Sequence, residues 1–221
     1  MTQTALRIAT EADAPRLLKL LHAAYSELPP GVLFTVTRAG VDLVRQRIRQ
    51  HTTFVIEQAG GNGPDRQADL LGTVSIRFPW VPDEAPRAPY PFIHWFAVSP
   101  AHKQQGLGRR LLDHAELNFL RDTVKAPAVH LATAIKHPWL TQLYLSRGYA
   151  PFGNSTNALG TELVWLRKAL LPDLYPTLLP HRPPAPASTS SSTSADPAQA
   201  DARPLHPVSY THLTLPTKRI V

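Results

Sequence analysis

The chain has 221 residues, 23 Lys plus Arg against 16 Asp plus Glu, a formal net charge of +7 and no cysteine. That length holds one good-sized domain, or a small domain and a tail, and the lack of cysteine excludes a disulfide scaffold, a Cys-based zinc site and a cysteine nucleophile. No window reaches the ~18 uninterrupted apolar residues of a membrane-spanning helix, and Met1-Thr2-Gln3-Thr4 lacks the basic and apolar regions of a secretory signal, so a soluble, cytoplasmic protein is expected.

Leu6 to Ala9 is a short apolar strand. Thr10-Glu11-Ala12-Asp13 has capping-box chemistry and opens a helix, whose buried stripe is Ala14, Leu17, Leu18, Leu21 and Tyr25. Leu28-Pro29-Pro30-Gly31 breaks it. Thr37 is expected to cap a second helix carrying Val41, Val44 and Ile48. Thr52–Gln58 and Leu70–Phe78 are β-branched and apolar around a Gly60-Gly61-Asn62-Gly63-Pro64 turn, which predicts a hairpin with a long loop. A Pro-rich loop, 79–91, precedes a strong strand at Phe92–Val98. A Gly-bearing turn then starts a helix with Gly108, Leu111, Leu112, Ala115 and Phe119 on one face. Strand Ala128–Ala134, a short helix Pro138–Ser146 and a final strand Thr161–Leu166 complete the pass. Strands and helices mix without strict alternation, which predicts a mixed sheet flanked by helices rather than a doubly wound one.

Proline is about twice its usual ~5% share, and 10 of the 23 prolines lie at or after Pro172. Residues 172–206 are rich in Pro, Ala and Ser and carry too little apolar surface to offset chain entropy, so a disordered tail is expected after a domain of residues 1–171. Pro207 to Thr217 resembles a translated sequencing adapter, and residues 207–221 are read as an artefactual extension. The first 171 residues hold 19 basic and 13 acidic groups. That modest surplus suits a phosphate-bearing ligand as well as it suits nucleic acid.

The informative segment is Val98-Ser99-Pro100-Ala101-His102-Lys103-Gln104-Gln105-Gly106-Leu107-Gly108-Arg109-Arg110-Leu111-Leu112. A strand runs into a Gly-containing turn and a helix start. Backbone N–H groups there lack intrahelical partners, and the helix dipole adds positive potential. Glycines at 106 and 108 remove Cβ atoms that would hold a phosphate away, which makes the turn a pyrophosphate cradle. Lys103, Arg109 and Arg110 add charge around it. A Walker loop is excluded by the absence of Gly-Lys-Ser/Thr, and a dinucleotide fingerprint by Leu111 in the place of a third glycine. A tight turn beside an exposed basic patch is the alternative reading of the two glycines alone.

The wider spacing of Val98, Pro100, Lys103, Gly106, Gly108, Leu111 and Leu112 resembles motif A of the GNAT superfamily of N-acetyltransferases. Leu143-Tyr144-Leu145-Ser146-Arg147-Gly148-Tyr149 resembles its motif B, and Trp165 to Leu170 its closing strand. Lys103, in place of the usual Arg or Gln, and His137, in place of a common asparagine, depart from the pattern. The resemblance spans roughly residues 5–170. It implies a mixed, mostly antiparallel sheet whose fourth and fifth strands splay apart. Acetyl-CoA would enter that wedge, with its pantetheine on Phe96, Ala97 and Val98. Its pyrophosphate would lie on the turn formed by Lys103, Gln104, Gln105, Gly106, Leu107, Gly108 and Arg109.

Under that resemblance Tyr144 holds the general-acid position and protonates the leaving thiolate, and a backbone N–H near Phe96 stabilises the oxyanion. His94 takes the strand position of a frequent family base, with Glu57 as a further candidate. Asp83, Glu84 and Glu27 could attract a cationic amine on the loops. No histidine or carboxylate spacing suggests a metal. The expected partners are acetyl-CoA and a primary amine, as a small molecule or a protein N-terminus, and a homodimer is compatible with the family. The alternatives are a non-catalytic acyl-CoA sensor and a basic, tRNA-associated domain, although no aromatic-interleaved basic patch supports the last.

Overall fold

The computed structural model describes residues 3–58, 69–81 and 89–174, all within one unit spanning Met1–His181. Nearly all of the expected tail, the Pro207–Thr217 segment, the turn at 60–64, and Asp83 and Glu84 lie outside the described residues.

The elements run β1 (Thr4–Ile8), α1 (Ala14–Tyr25), α2 (Val41–Gln50), β2 (Thr52–Gln58), β3 (Leu70–Arg77), β4 (Phe92–Val98), α3 (Leu107–Asp113), β5 (Ala128–Ala134), α4 (Pro138–Ser146), β6 (Ala150–Thr156) and β7 (Glu162–Ala169). The seven strands form one sheet in the order β1-β2-β3-β4-β5-β7-β6. Every described pairing is antiparallel except β4 with β5, which is parallel. The mixed, mostly antiparallel sheet read from the sequence is the sheet observed.

Both faces of the sheet are covered. On one, Ile56, Val74, Ile76, Ile93 and Leu131 pack with Leu111, Leu112 and Ala115 of the helix after β4. On the other, Val55 and Ala97 pack with Leu17, Leu21, Val44 and Ile48 of α1 and α2. β3 lies inside the sheet, between β2 and β4, and its first seven residues are buried, as befits a strand covered on both faces.

Local chemistry sets the ends of the elements. Asp13 Oδ2 accepts from the Thr10 backbone N–H at 2.8 Å, and a short 3-10 turn, Glu11–Asp13, leads into α1. The second helix departs from expectation. Its N-cap is Gly40, while Thr37 lies in a separate 3-10 turn, its hydroxyl bonded to the Phe34 carbonyl at 2.7 Å. A threonine that satisfies its own local turn does not cap the next helix. After α3 the helix continues as a π-helical stretch, His114–Thr123, in which the Val124 N–H reaches the Phe119 carbonyl at 2.8 Å.

Two charged clusters join the layers. Arg7 of β1 donates to Asp13 at 2.7 and 2.8 Å and to Glu57 of β2 at 2.8 Å, and Arg16 of α1 reaches both carboxylates at 3.0 Å. These bonds hold the Asp13 carboxyl down to about 2. Glu116, 0% exposed, accepts from Arg147 at 3.1 and 3.0 Å, from Lys168 at 2.5 Å and from the Tyr149 hydroxyl at 3.2 Å. It ties the π-helical stretch to the end of α4 and to β7. Glu116→Ala would leave Lys168 without its carboxylate and Arg147 with Asp113 alone, a loss of about 3–5 kcal/mol for a buried pair broken on one side. Urea unfolding should show a fall of that size, and a midpoint near that of the wild type would mean that water replaces the carboxylate.

Candidate active site

The site begins with an interruption of strand pairing. β4 and β5 pair only as Phe92↔His130 and Ile93↔Leu131, and beyond Ile93 the two strands part. On its other side β4 pairs with β3 through a bulge. Thr73 faces Ala97 and Ser75 faces His94, so Val74 stands opposite both Trp95 and Phe96. Trp95 has φ 48°, a left-handed conformation that costs a bulky residue roughly 1–3 kcal/mol. The bulge removes a residue from the ladder and re-aims the side chains around it. As a result Trp95 and Ala97 pack toward α1 and α2, while Phe96 and Val98 pack toward α3.

The opened strands border a cavity of about 1380 Å³ lined by residues of β4, the turn after it, α4 and the α1–α2 region. Single small ligands usually occupy ~300–1,000 Å³, so the cleft has room for two. Phe96, Ala97, Val98, Lys103, Gln104, Gly106, Leu107, Gly108, Arg109, His94 and Tyr144 all line it. Gln105 is exposed on the turn and is not among the lining residues.

The two motif glycines have different work. Gly106 has φ +75° at the N-cap of α3, and a Cβ there would meet nothing within 4 Å. Its need is the left-handed backbone, and the space beside it is open to a ligand. Gly108 is helical, and a Cβ there would lie 3.2 Å from Phe96 Cζ and 3.4 Å from Val98 Cγ2. That glycine lets the helix pack close to β4. Gln104, at φ 62°, is a second left-handed position in the turn. Lys103, expected to face a phosphate, here pairs with Glu27 across the cleft mouth.

Tyr144 is 4% exposed and packs edge-on to Tyr149 at 5.5 Å. Burial pushes its phenol well above the ordinary tyrosine range, with smaller contributions from Tyr25 and Glu116. The phenol therefore keeps its proton throughout the usual pH range. α4 starts at Pro138 behind His137, whose ring meets Trp139 edge-on at 4.9 Å.

On the α1–α2 face, His94 Nε2 and His51 Nδ1 lie 2.9 Å apart. Burial lowers both rings, His51 to about 4, and Arg47 and Arg77 repel any proton added to either. The pair is neutral at pH 7 and shares one hydrogen between the facing nitrogens. Phe92 lies near His94 with centroids 6.4 Å apart, and Trp165 meets Phe92 at 5.4 Å. Arg77 places its guanidinium 5.2 Å from the Phe92 ring centre. Sequence reasoning named His94 but not His51, Arg47, Arg77, Phe92 or Trp165. The available signal was Arg77, a cation closing an otherwise buried strand. Glu57, the other candidate base, is held by Arg7 and Arg16 outside the cleft.

Glu27 and Asp113, carboxylates of the cleft, are paired with Lys103 and with Arg147 and Arg109. No group of three or more His, Asp or Glu side chains that could hold a metal exists among the described residues. No helix among them is long and apolar enough to cross a membrane.

The model of the acetyltransferase (GNAT) family matches residues 16–149. The chain is 39% identical over 182 residues to the S-alkylcysteine N-acetyltransferase of Bacillus subtilis (strain 168), covering 81% of this chain and 97% of that one. It is 37% identical over 169 residues to the S-(2-succino)cysteine N-acetyltransferase of the same organism, covering 76% and 97%. Among solved structures it resembles an N-acetyltransferase from Staphylococcus aureus Mu50, at TM-score 0.57, 11% identity and coverage of 76% and 99%. It also resembles the ribosomal-protein-S18-alanine N-acetyltransferase from Escherichia coli, at TM-score 0.55, 16% identity and coverage of 76% and 94%. At such identities the solved structures speak for the fold, while the two Bacillus relatives favour an enzyme over a sensor or a tRNA-associated domain. With the family model over its central residues and full-length relatives that are themselves N-acetyltransferases, the chain belongs to the GNAT family and is an acetyl-CoA-dependent N-acetyltransferase.

Proposed function

We propose that this enzyme acetylates the α-amine of a cysteine whose sulfur carries an organic substituent. The carrying observation is that two relatives, at 39% and 37% identity over nearly their whole length, both act on S-substituted cysteines. The acceptor side of the cleft agrees with such a substrate. Phe34, Phe92 and Trp165 line it, and thioether sulfur makes favourable contacts with aromatic rings.

The residues divide the work by sheet face. Acetyl-CoA supplies the activated acetyl group. The left-handed turn at Gln104 and Gly106 presents backbone N–H groups to its pyrophosphate, with Arg109 beside them, and Phe96, Ala97 and Val98 border the wedge for its arm. On the opposite face His94 accepts a hydrogen bond from the neutral acceptor amine. Because His94 and His51 resist protonation, the proton that the amine loses on attack passes through the pair to solvent, and Tyr144 regains from water the proton it gives to sulfur. A backbone N–H at the β4 bulge receives the developing oxyanion. Tyr144 gives its proton to the departing sulfur.

Thiol release from acetyl-CoA tests the substrate class. S-methylcysteine and S-(2-succino)cysteine should exceed spermidine in kcat/KM by about 100-fold or more, since both relatives at 37–39% identity take S-substituted cysteines. Faster turnover of the polyamine would overturn the proposal.

Gly106→Val should raise the dissociation constant of CoA more than tenfold, because a few charge-assisted bonds at about 1.5–3 kcal/mol each depend on the turn. Gly108→Val should act mainly on stability, through the contact with Phe96. Calorimetry and thermal melting separate the two, and an unchanged CoA affinity in Gly106→Val would remove the turn from the site.

Tyr144→Phe should keep CoA affinity within a few-fold and lower kcat by about 10²-fold. The wild type should show no alkaline loss from this phenol up to about pH 10, since its pKa is raised above the ordinary ~10 of tyrosine. The acid limb of kcat/KM should follow the ammonium pKa across a series of acceptors, as the buried imidazoles are already neutral there. Wild-type turnover in Tyr144→Phe would make the phenol a packing group.

A further inference from the structure

We infer that Trp139, at the start of α4, is a shelf on which the adenine base of acetyl-CoA stacks, so that the enzyme selects an acyl donor that carries its nucleotide. The inference rests on the proposed placement of the pyrophosphate at the Gly106 turn and extends it to the other bank of the cleft. β4 and β5 run parallel, and each is followed by a helix on the same face of the sheet. Leu107, Leu111 and Leu112 of α3 share one core cluster with Tyr144 of α4, and Leu140 packs against it. Helices that follow parallel strands onto one face begin at the same end of the sheet. α3 lies over β2, β3 and β4, and α4 lies over β5. The start of α3, with Gly106, and the start of α4, with Trp139, therefore flank the gap between β4 and β5, and both residues line the cavity.

Two stripes run along α4. Leu140, Tyr144 and Arg147, at i, i+4 and i+7, turn into the body, where the first two join the core and Arg147 reaches Glu116. Trp139, Leu143 and Ser146 repeat the same spacing on the adjoining face, and all three line the cavity. Trp139 stands at the outer end of that stripe and is 62% exposed. The ring of His137, the N-cap of α4, lies 4.9 Å from it with 64° between the planes, and Pro138 between them fixes the backbone. A single exposed apolar side chain is ordinary on a protein surface. This one stands at the mouth of the cleft, on the α3 face rather than the acceptor face. The bank across from it is charged, with Lys103 and Arg109, and the space beside Gly106 is open, since a Cβ there would meet nothing within 4 Å. In CoA the pyrophosphate separates the pantetheine arm from the nucleoside. With the arm in the wedge and the pyrophosphate on the turn, the base emerges at the mouth. The charged bank suits the phosphates and the indole suits a purine, because any base can stack on an aromatic ring.

Calorimetry with CoA tests the stack. Trp139→Ala should raise the dissociation constant about 10-fold, the scale of one base–aromatic stack, and Trp139→Phe should keep most of the affinity. Both variants should melt near the wild type without ligand, because the side chain is exposed. Adenosine 3′,5′-bisphosphate, which carries the base without the arm, should quench tryptophan fluorescence in the wild type and not in Trp139→Phe. S-acetylpantetheine, which carries the arm without the nucleotide, should show the same KM in the wild type and in Trp139→Ala. An unchanged CoA affinity in Trp139→Ala beside a weakened Gly106→Val would overturn the stack and leave the pyrophosphate on the turn. Unchanged affinity in both variants would end both readings. A change confined to KM of the acceptor, or an equal loss with S-acetylpantetheine, would set Trp139 against the acceptor or the arm and overturn the inference.

Discussion

Strand β4 is paired along most of its length with β3 and over only two residues with β5. The site depends on that asymmetry. A strand that continued in register beside β5 would bury its backbone groups in a ladder and leave no gap between the sheet halves. Here the bulge at Trp95 and Phe96 turns β4 while the β3 ladder holds it in place. The strain of a tryptophan at positive φ is carried by a well-packed strand, which is where a fold can tolerate it. Phe96 and Val98 are thereby given to the α3 face, close under Gly108, and His94 to the opposite face.

The two faces differ in electrostatics, and the proposed reaction is divided between them accordingly. On the α3 face the turn at Gly106 offers backbone N–H groups and cationic side chains, suited to phosphate. On the α1–α2 face two arginines border a neutral histidine pair. Burial and the neighbouring arginines keep both imidazoles neutral, so in the proposed reaction they meet an acceptor amine that has already lost its proton. Tyr144 is the complement, a phenol so buried that it keeps its proton throughout the usual pH range, as the general acid proposed for it must.

Much of this was legible in the sequence, because the chemistry of the turn is written in contiguous residues. Val98 to Leu112 carries the strand end, the left-handed positions and the buried helical stripe together, and Leu143 to Tyr149 does the same for the buried Tyr144 at the end of α4. The acceptor side was not legible in that way. Arg47, His51, Arg77 and His94 come from α2, its C-cap, the end of β3 and β4, and only the tertiary fold brings them together. His94 was found through its place beside the motif, and Glu57 was misjudged because its arginine partners lie 50 and 41 residues away. β6 was missed as a strand. Ala150 to Thr156 contains Pro151, Gly153 and Asn154, which argue for a turn, and it is mostly exposed, so no apolar alternation marks it. An edge position tolerates that composition. The last strand was read three residues short for a similar reason, since Arg167 and Lys168 break its apolar run while Lys168 serves Glu116.

The short β4–β5 pairing has a thermodynamic side. Two paired residues are a weak seam in a seven-stranded sheet, and the halves are joined across it by side-chain packing, by the Glu116 ion pairs and by the bonds of Leu33 with Asn157 and Thr161 rather than by a ladder. A molecule whose arm lies along the free edge of β4 supplies contacts that the protein itself leaves out. Whatever fills the wedge therefore counts toward folding as well as turnover, by mass action on the native state alone. Cosubstrate concentration then sets the mechanical coherence of the sheet, and a cell depleted of acetyl-CoA and CoA would hold this enzyme in its most easily opened form.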